Sequence, residues 1–416
     1  MRLRALTVVA CVLAAVACAG DDDTADTETP DTETPDTETP DTETPDTEAP
    51  TTTSTTTTTT EPEPEPEPVR FDEAGPFPVG VTTLQLEGLQ LEGGIDVEIW
   101  YPAVDGTSGT VSYDVRDFTP EAIQGLLEGD VDASFEFDGA RDAAAADGEF
   151  PVVLFSHGAS GMRLQSSFLT SHLATHGMIV VAPDHPARDL RNALGGRDEG
   201  EATDSVDDLL GALDLVVAES TDPDGLLAGR VDGDRVAALG HSAGGGTALR
   251  AAADDRIDSF VSMASGGPED PAEYPDVPSL FMAGEVDEIV TPDERTRPAF
   301  ETAPAPSWYL EIAATGHNGF NDFCTFGGGT GIVGVAEAAG LGGLLDAQPQ
   351  LRRLGEDGCI PPATPVEQAF PIIRHSTVAF LRWSLGLDDP GSDGAMLGLD
   401  VATLARFELP TTVEQR

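Results

Sequence analysis

Leu239-Gly240-His241-Ser242-Ala243-Gly244-Gly245-Gly246 is the stretch on which the reading of the fold turns. Arg235 to Leu239 before it is a short apolar strand, and Ala243 to Ala253 is alanine-rich and helix-forming. Between them lies Gly-x-Ser-x-Gly, the pattern of a sharp strand-to-helix turn that lifts a serine hydroxyl to the end of a sheet. The glycines are expected because a Cβ on either side of so tight a turn would strike backbone. A helix starting at Ala243 aims its first N–H groups and its dipole at the serine oxygen, where negative charge develops during acyl transfer. The pentapeptide also occurs in ordinary loops, so the rest of the chain has to decide its meaning.

Outward from this turn, strands and helices alternate. Pro151 to Phe155 and Met178 to Ala182 are continuous apolar runs of the kind that form parallel strands buried on both faces. Phe260 to Ala264, Ser279 to Ala283 and Trp308 to Ile312 read as further strands, and Val79 to Leu86 and Ile95 to Tyr101 as alternating ones. Gln165 to His176, Ser205 to Glu219 and Thr377 to Leu385 read as helices, the second with Val206, Leu209, Leu210, Leu213, Val216 and Val217 on one face. Asp105 to Glu149 is irregular and acidic, with a short helix near Glu121 to Leu127. The expected class is α/β, a mostly parallel central sheet flanked by helices.

A serine nucleophile needs a base, an acid to orient the base, and donors for the oxyanion. After such a turn the partners follow in the chain order serine, acid, histidine. Asp287 lies just after the strand ending at Ala283, and His317 just after the strand ending at Ile312. Glu285, Glu288 and Asp293 compete with Asp287 as the acid. His172 and His176 fall on a helix before the turn and His185 precedes the serine, so they fit the base role less well, while His241 inside the turn is expected to be structural and His375 at the start of the last helix a packing or capping residue. The loop Ser156-His157-Gly158-Ala159-Ser160-Gly161 should supply one oxyanion N–H from Ala159, and the residue after the serine, Ala243, the other.

The ends and the composition bound the rest. Met1 to Ala17 has arginines at positions 2 and 4, an apolar run and then small residues, which is the plan of an export signal. Ala15-Val16-Ala17-Cys18 resembles a lipobox, so residues 1–18 are read as a signal ending at a lipidated Cys18, with plain secretion as the alternative. Residues 19–68 repeat Asp-Thr-Glu-Thr-Pro, then run through threonines into alternating Glu-Pro, and cannot bury a core. They read as a disordered tether, with residues 69–416 as the catalytic domain. The 416-residue chain holds 75 acidic side chains and 21 basic ones, every one of them arginine, for a net charge of −54. Such a surface excludes nucleic acid, and leaves the lipid anchor as the route to a membrane. A monomer is expected.

Cys324 and Cys359 remain once the two signal-region cysteines are set aside. In an exported protein they should form a disulfide closing a Gly-, Ala- and Leu-rich loop over the site, as a lid or as a staple. No histidine or cysteine spacing suggests a metal, and no cofactor motif is present, so neither is expected.

These pieces resemble the α/β-hydrolase superfamily, in the branch of bacterial dienelactone-hydrolase-like proteins, platelet-activating-factor acetylhydrolases and cutinase-like polyester hydrolases. The resemblance rests on Gly75-Pro76-Phe77-Pro78-Val79-Gly80, Val97-Glu98-Ile99-Trp100-Tyr101-Pro102, Phe155-Ser156-His157-Gly158, Ala182-Pro183-Asp184-His185, Gly240 to Gly245 and Gly316-His317-Asn318-Gly319-Phe320, and spans Gly75 to Leu387. It implies a cofactor-free serine hydrolase of small-molecule or lipid carboxylic esters. Dienelactone hydrolases carry cysteine where Ser242 stands. Polyester hydrolases commonly carry an aromatic residue where Ala159 stands and methionine where Ala243 stands. A polyester or cutin hydrolase, an amidase or peptidase, and an inactive scaffold serving as a cell-surface binding protein stay open as alternatives.

Overall fold

A computed structural model describes residues 70–416 apart from 88–92, 126–130, 198–202 and 389–395. The export signal, Cys18 and the tether through residue 68 lie outside the described residues. Among the described residues there are twelve strands: β1 (Val79–Leu86), β2 (Ile95–Pro102), β3 (Thr110–Asp114), β4 (Ser134–Asp138), β5 (Ala140–Arg141), β6 (Phe150–Ser156), β7 (Ile179–Pro183), β8 (Val231–His241), β9 (Ser259–Met263), β10 (Ser279–Gly284), β11 (Ser307–Ile312) and β12 (Thr411–Gln415). Ten of them form one sheet in the order β12-β11-β10-β9-β8-β6-β7-β2-β1-β5, and β3 pairs with β4 apart from it. The consecutive neighbours from β11 to β7 are parallel, while β12 and β2 join antiparallel.

The apolar runs of β6 and β7 are continuous because both faces are covered. Val153 and Phe155 join one core with α1 (Ser167–Thr175), while Val152 and Leu154 join the other with α2 (Ser205–Thr221) and α3 (Ala243–Ala251). Successive side chains on a strand point to opposite faces, so one sequence run serves two layers. Past β11 come α4 (Gly331–Ala338), α5 (Gly342–Asp346) and α6 (Pro349–Glu356), followed by α7 (Phe370–Ser384) on the first core.

Four sequence expectations need correction. Asp105 to Glu149 is not simply irregular: β3 and β4 pair within it, stacking Tyr113 on Phe135 and Phe137. The helix of α2 is rotated, leaving Val217 37% exposed and burying Asp208 completely. Strand β8 begins at Val231, ahead of the expected Arg235: Val231 and Asp232 pair with Phe150 and Pro151, and residues 233–235 bulge out before Val236 pairs with Val152. The last long helix starts at Phe370, which puts His375 inside it, wholly buried, accepting the Phe71 N–H and donating to the Gly398 carbonyl.

Candidate active site

Strand β8 ends at His241 and α3 begins at Ala243, leaving Ser242 alone at the turn with φ 56° and ψ −124°. An L-residue rarely adopts this conformation. The Ser242 N–H donates to the Met263 carbonyl at 2.8 Å, which holds the turn against the next strand. A Cβ on Gly240 would lie 2.1 Å from the Gly244 carbonyl oxygen, and one on Gly244 would lie 1.9 Å from that of Ser156. The turn therefore requires glycine at both positions.

Three strand ends converge on this serine. The Ser242 hydroxyl donates to His317 Nε2 at 3.0 Å, and His317 Nδ1–H donates to Asp287 Oδ2 at 2.9 Å. The other Asp287 oxygen accepts the N–H groups of Ile289 and Val290 at 2.8 and 2.7 Å, fixing the carboxylate toward the ring. His317 and Asp287 are buried. The competing acids face elsewhere: Glu285 accepts the Ala314 N–H, Glu288 pairs with Arg353, and Asp293 pairs with Arg297 at the surface. His241 donates to the His317 carbonyl and accepts from Gln165, and burial pushes its ring well below the ordinary histidine range, which makes it neutral.

The loop after β6 singles out one amide. Gly158 N–H donates to Gln165 Oε1, Ser160 N–H to the Arg188 carbonyl, and Gly161 N–H to the Gly158 carbonyl. Among the described residues the Ala159 N–H has no protein acceptor. Ala243 is the first residue of α3, so its N–H lacks an intrahelical acceptor. Both alanines are exposed; Ala159 lines the same pocket as Ser242, and Ala243 follows it in the chain.

Ser242, His317 and Ala159 line an apolar pocket with about 150 Å³ of free space. Ile332, Val335, Leu351 and Leu354 wall it from the segment between Cys324 and Cys359, which are joined as a disulfide. The closed loop thus covers the site. Sequence reasoning missed Asp357 within that loop. Its Oδ1 accepts the His317 N–H at 2.6 Å and its Oδ2 the Glu288 N–H at 2.9 Å, tying the histidine loop to the acid loop. Glu356-Asp357-Gly358-Cys359 looks like any turn before a cysteine, and no spacing signal marks it.

Two outcomes follow from this surround. Replacing both cysteines by serine should lower stability by about 3–4 kcal/mol, because the bridge closes a long loop in the unfolded chain. A denaturant midpoint that stays where it is would rule this out. Asp322 accepts the Phe168 N–H at 3.0 Å, and burial raises its carboxyl to about 7. A folded value above the unfolded one of about 3.9 means a contribution present below pH ~4 and lost as pH rises through about 7. Between pH 5 and 8 the melting temperature of the wild type should fall relative to that of Asp322→Asn. A pH-independent difference between the two would exclude this account.

Among the described residues no cluster of three or more His, Cys, Asp or Glu could hold a metal, and no helix is long and apolar enough to cross a membrane.

The chain matches the PET hydrolase-like family over residues 142–334 and the platelet-activating factor acetylhydrolase, isoform II, family over residues 69–195. The first match contains Ser242, Asp287 and His317, and the second contains Ala159. Cutinase est2 of Thermobifida alba is 26% identical over 171 residues, covering 40% of this chain and 53% of the cutinase. The chain thus spans about half the length of that relative. Platelet-activating factor acetylhydrolase of Cavia porcellus is 24% identical over 404 residues, covering 82% of this chain and 84% of its own. The solved structure of a ferulic acid esterase from Streptomyces cinnamoneus superposes with a TM-score of 0.54 at 22% identity, covering 76% of this chain and 93% of that one, a likeness of fold. With the parallel sheet and the glycine-flanked serine turn, these matches give the chain an α/β-hydrolase fold and make it similar to esterases of the cutinase and platelet-activating-factor acetylhydrolase type.

Proposed function

We propose that this protein is an exported serine hydrolase that cleaves carboxylic esters with a compact acyl group, through an acyl-enzyme on Ser242. Ser242 Oγ attacks the ester carbonyl carbon as His317 Nε2 takes its proton. Asp287 holds the other ring nitrogen and balances the imidazolium. The carbonyl oxygen becomes an oxyanion held by the N–H groups of Ala159 and Ala243, with the positive end of α3 behind them. His317 returns the proton to the leaving alcohol. A water molecule then gives a proton to His317 as it attacks the acyl carbon; the Ser242 Oγ–acyl bond breaks, Ser242 Oγ takes the proton back from His317, and the carboxylic acid leaves.

The observation that carries this reading is the unbroken Ser242–His317–Asp287 hydrogen-bond chain at the ends of β8, β11 and β10. The test is labelling of the folded, disulfide-intact protein with a fluorophosphonate. An adduct on Ser242 is expected, and its absence would leave an inactive scaffold as the better account.

Pocket size argues for a short acyl group, because about 150 Å³ holds roughly one benzene ring. Hydrolysis of p-nitrophenyl butyrate should exceed that of the palmitate by at least ~10-fold in kcat/KM. A polymer chain would have to pass beneath the 324–359 segment, which favours small esters over polyesters. Export through residues 1–18 and anchoring at Cys18 complete the proposal. Detergent partitioning that survives Cys18→Ala would refute the anchor.

A further inference from the structure

A second hydrogen-bonded chain of serine, histidine and aspartate lies beneath the oxyanion loop, and the reaction above does not use it. Asp208 Oδ2 on α2 accepts His185 Nδ1–H at 3.0 Å, and the Ser156 hydroxyl donates to His185 Nε2 at 2.8 Å. Arg188 Nη2 donates to Ser156 Oγ at 2.7 Å. Ser156, His185 and Asp208 are fully buried, so no substrate reaches this serine. The chain does reach the loop.

Arg188 touches that loop on both sides of Ala159. Its Nε and Nη2 donate to the His157 carbonyl at 3.1 and 2.9 Å, and its own carbonyl accepts the Ser160 N–H at 2.8 Å. Its Nη1 donates to Thr247 Oγ1 on α3, the helix that follows the serine turn. The His185 N–H donates to His157 Nε2 at 2.9 Å, and the other nitrogen of that ring donates to the Gly158 carbonyl. One arginine therefore links the two elements that carry Ala159 and Ala243. Burial lowers Arg188 to about 10 and raises Asp208 to about 7, the behaviour of two charges that are costly to bury and are held by their partners.

We propose that Arg188 is a positioning residue that sets the direction of the Ala159 N–H, with the Ser156–His185–Asp208 chain holding its guanidinium in place. The inference rests on the reading of Ala159 as an oxyanion donor. Losing an oxyanion donor costs about 10²- to 10³-fold in kcat, and a small misplacement costs part of that.

The test uses the full chain with Arg188→Lys, which keeps the charge and loses the fork that reaches Ser156 and His157 together. With p-nitrophenyl butyrate well below the melting temperature, kcat should fall roughly 10- to 100-fold with KM within about 2-fold. Fluorophosphonate labelling of Ser242 should slow by a similar factor and still reach completion. Wild-type kcat in this variant, or a loss confined to the melting temperature, overturns the proposal. If Arg188→Lys does not fold, Ser156→Ala removes one contact of the guanidinium, and an unchanged kcat there overturns it equally. Failure of the wild type itself to label at Ser242 sinks the reading of the reaction, which is a separate result.

Discussion

Ser242→Ala should lower kcat for a short p-nitrophenyl ester by roughly 10⁵- to 10⁶-fold, leaving the protein folded. In serine hydrolases the nucleophile and base act as a unit, so losing either costs nearly what losing all three residues costs. On the proposed mechanism, the remainder is the rate that binding and the Ala159 and Ala243 amides still provide. His317 has one partner on each side, Ser242 and Asp287, and both are short. Asp287→Asn should therefore cost about 10⁴-fold, since an amide at that position favours the wrong tautomer of the ring. The geometry needed for that result is present, because both Asp287 oxygens are already engaged. Steady-state kinetics on the purified variants, with mass spectrometry to exclude wild-type contamination, gives the answer. A Ser242→Ala protein within 100-fold of wild type would mean that another group does the chemistry.

Gly244→Ala should be the most damaging single methyl group near the site. The added Cβ would sit 1.9 Å from the Ser156 carbonyl oxygen and 2.7 Å from that of His157. Both are backbone atoms of the strand end that leads into the oxyanion loop, so neither can swing aside as a side chain would. Relief requires α3 to move away from β6. We expect a stability loss of about 3 kcal/mol or more, at the upper end for overpacking, together with loss of activity. Gly246→Ala is the matched control. Its Cβ would meet only Ser265 Oγ, at 3.9 Å. It should leave the fold intact and gain a few tenths to about 1 kcal/mol from helix propensity. Melting temperatures of the two variants compare them directly, and equal values would show that the turn adapts to a methyl group.

The parts of this site that sequence could reveal are those tied to the ends of regular elements. Ser242, Asp287 and His317 each follow a strand whose apolar run is plain, and their order along the chain does the rest. The cysteine pair was legible because few alternatives existed. Arg188 and Asp357 were not, because each acts through backbone groups of loops that meet only in three dimensions. The pairing of β3 with β4 was hidden by its polar alternation within an acidic segment, where Val111, Tyr113 and Phe135 are the buried positions and Phe137 is half-buried. Strand β12 was hidden too, since five mostly polar residues at a sheet edge carry little apolar signal. The rotation of α2 has a sharper cause. Burying Asp208 looks unfavourable from the sequence, and becomes reasonable only once His185 stands beside it.

The backbone at Ser242 has a consequence for how variants of this protein fare when screened. A left-handed conformation at a residue with a side chain costs of order 1–3 kcal/mol, and glycine would relieve it. Stability and chemistry are thus opposed at that single position. A library ranked only by resistance to heat or protease will enrich chains that have discarded the proposed nucleophile. Recovering hardier forms that still work requires a turnover readout in every round of sorting.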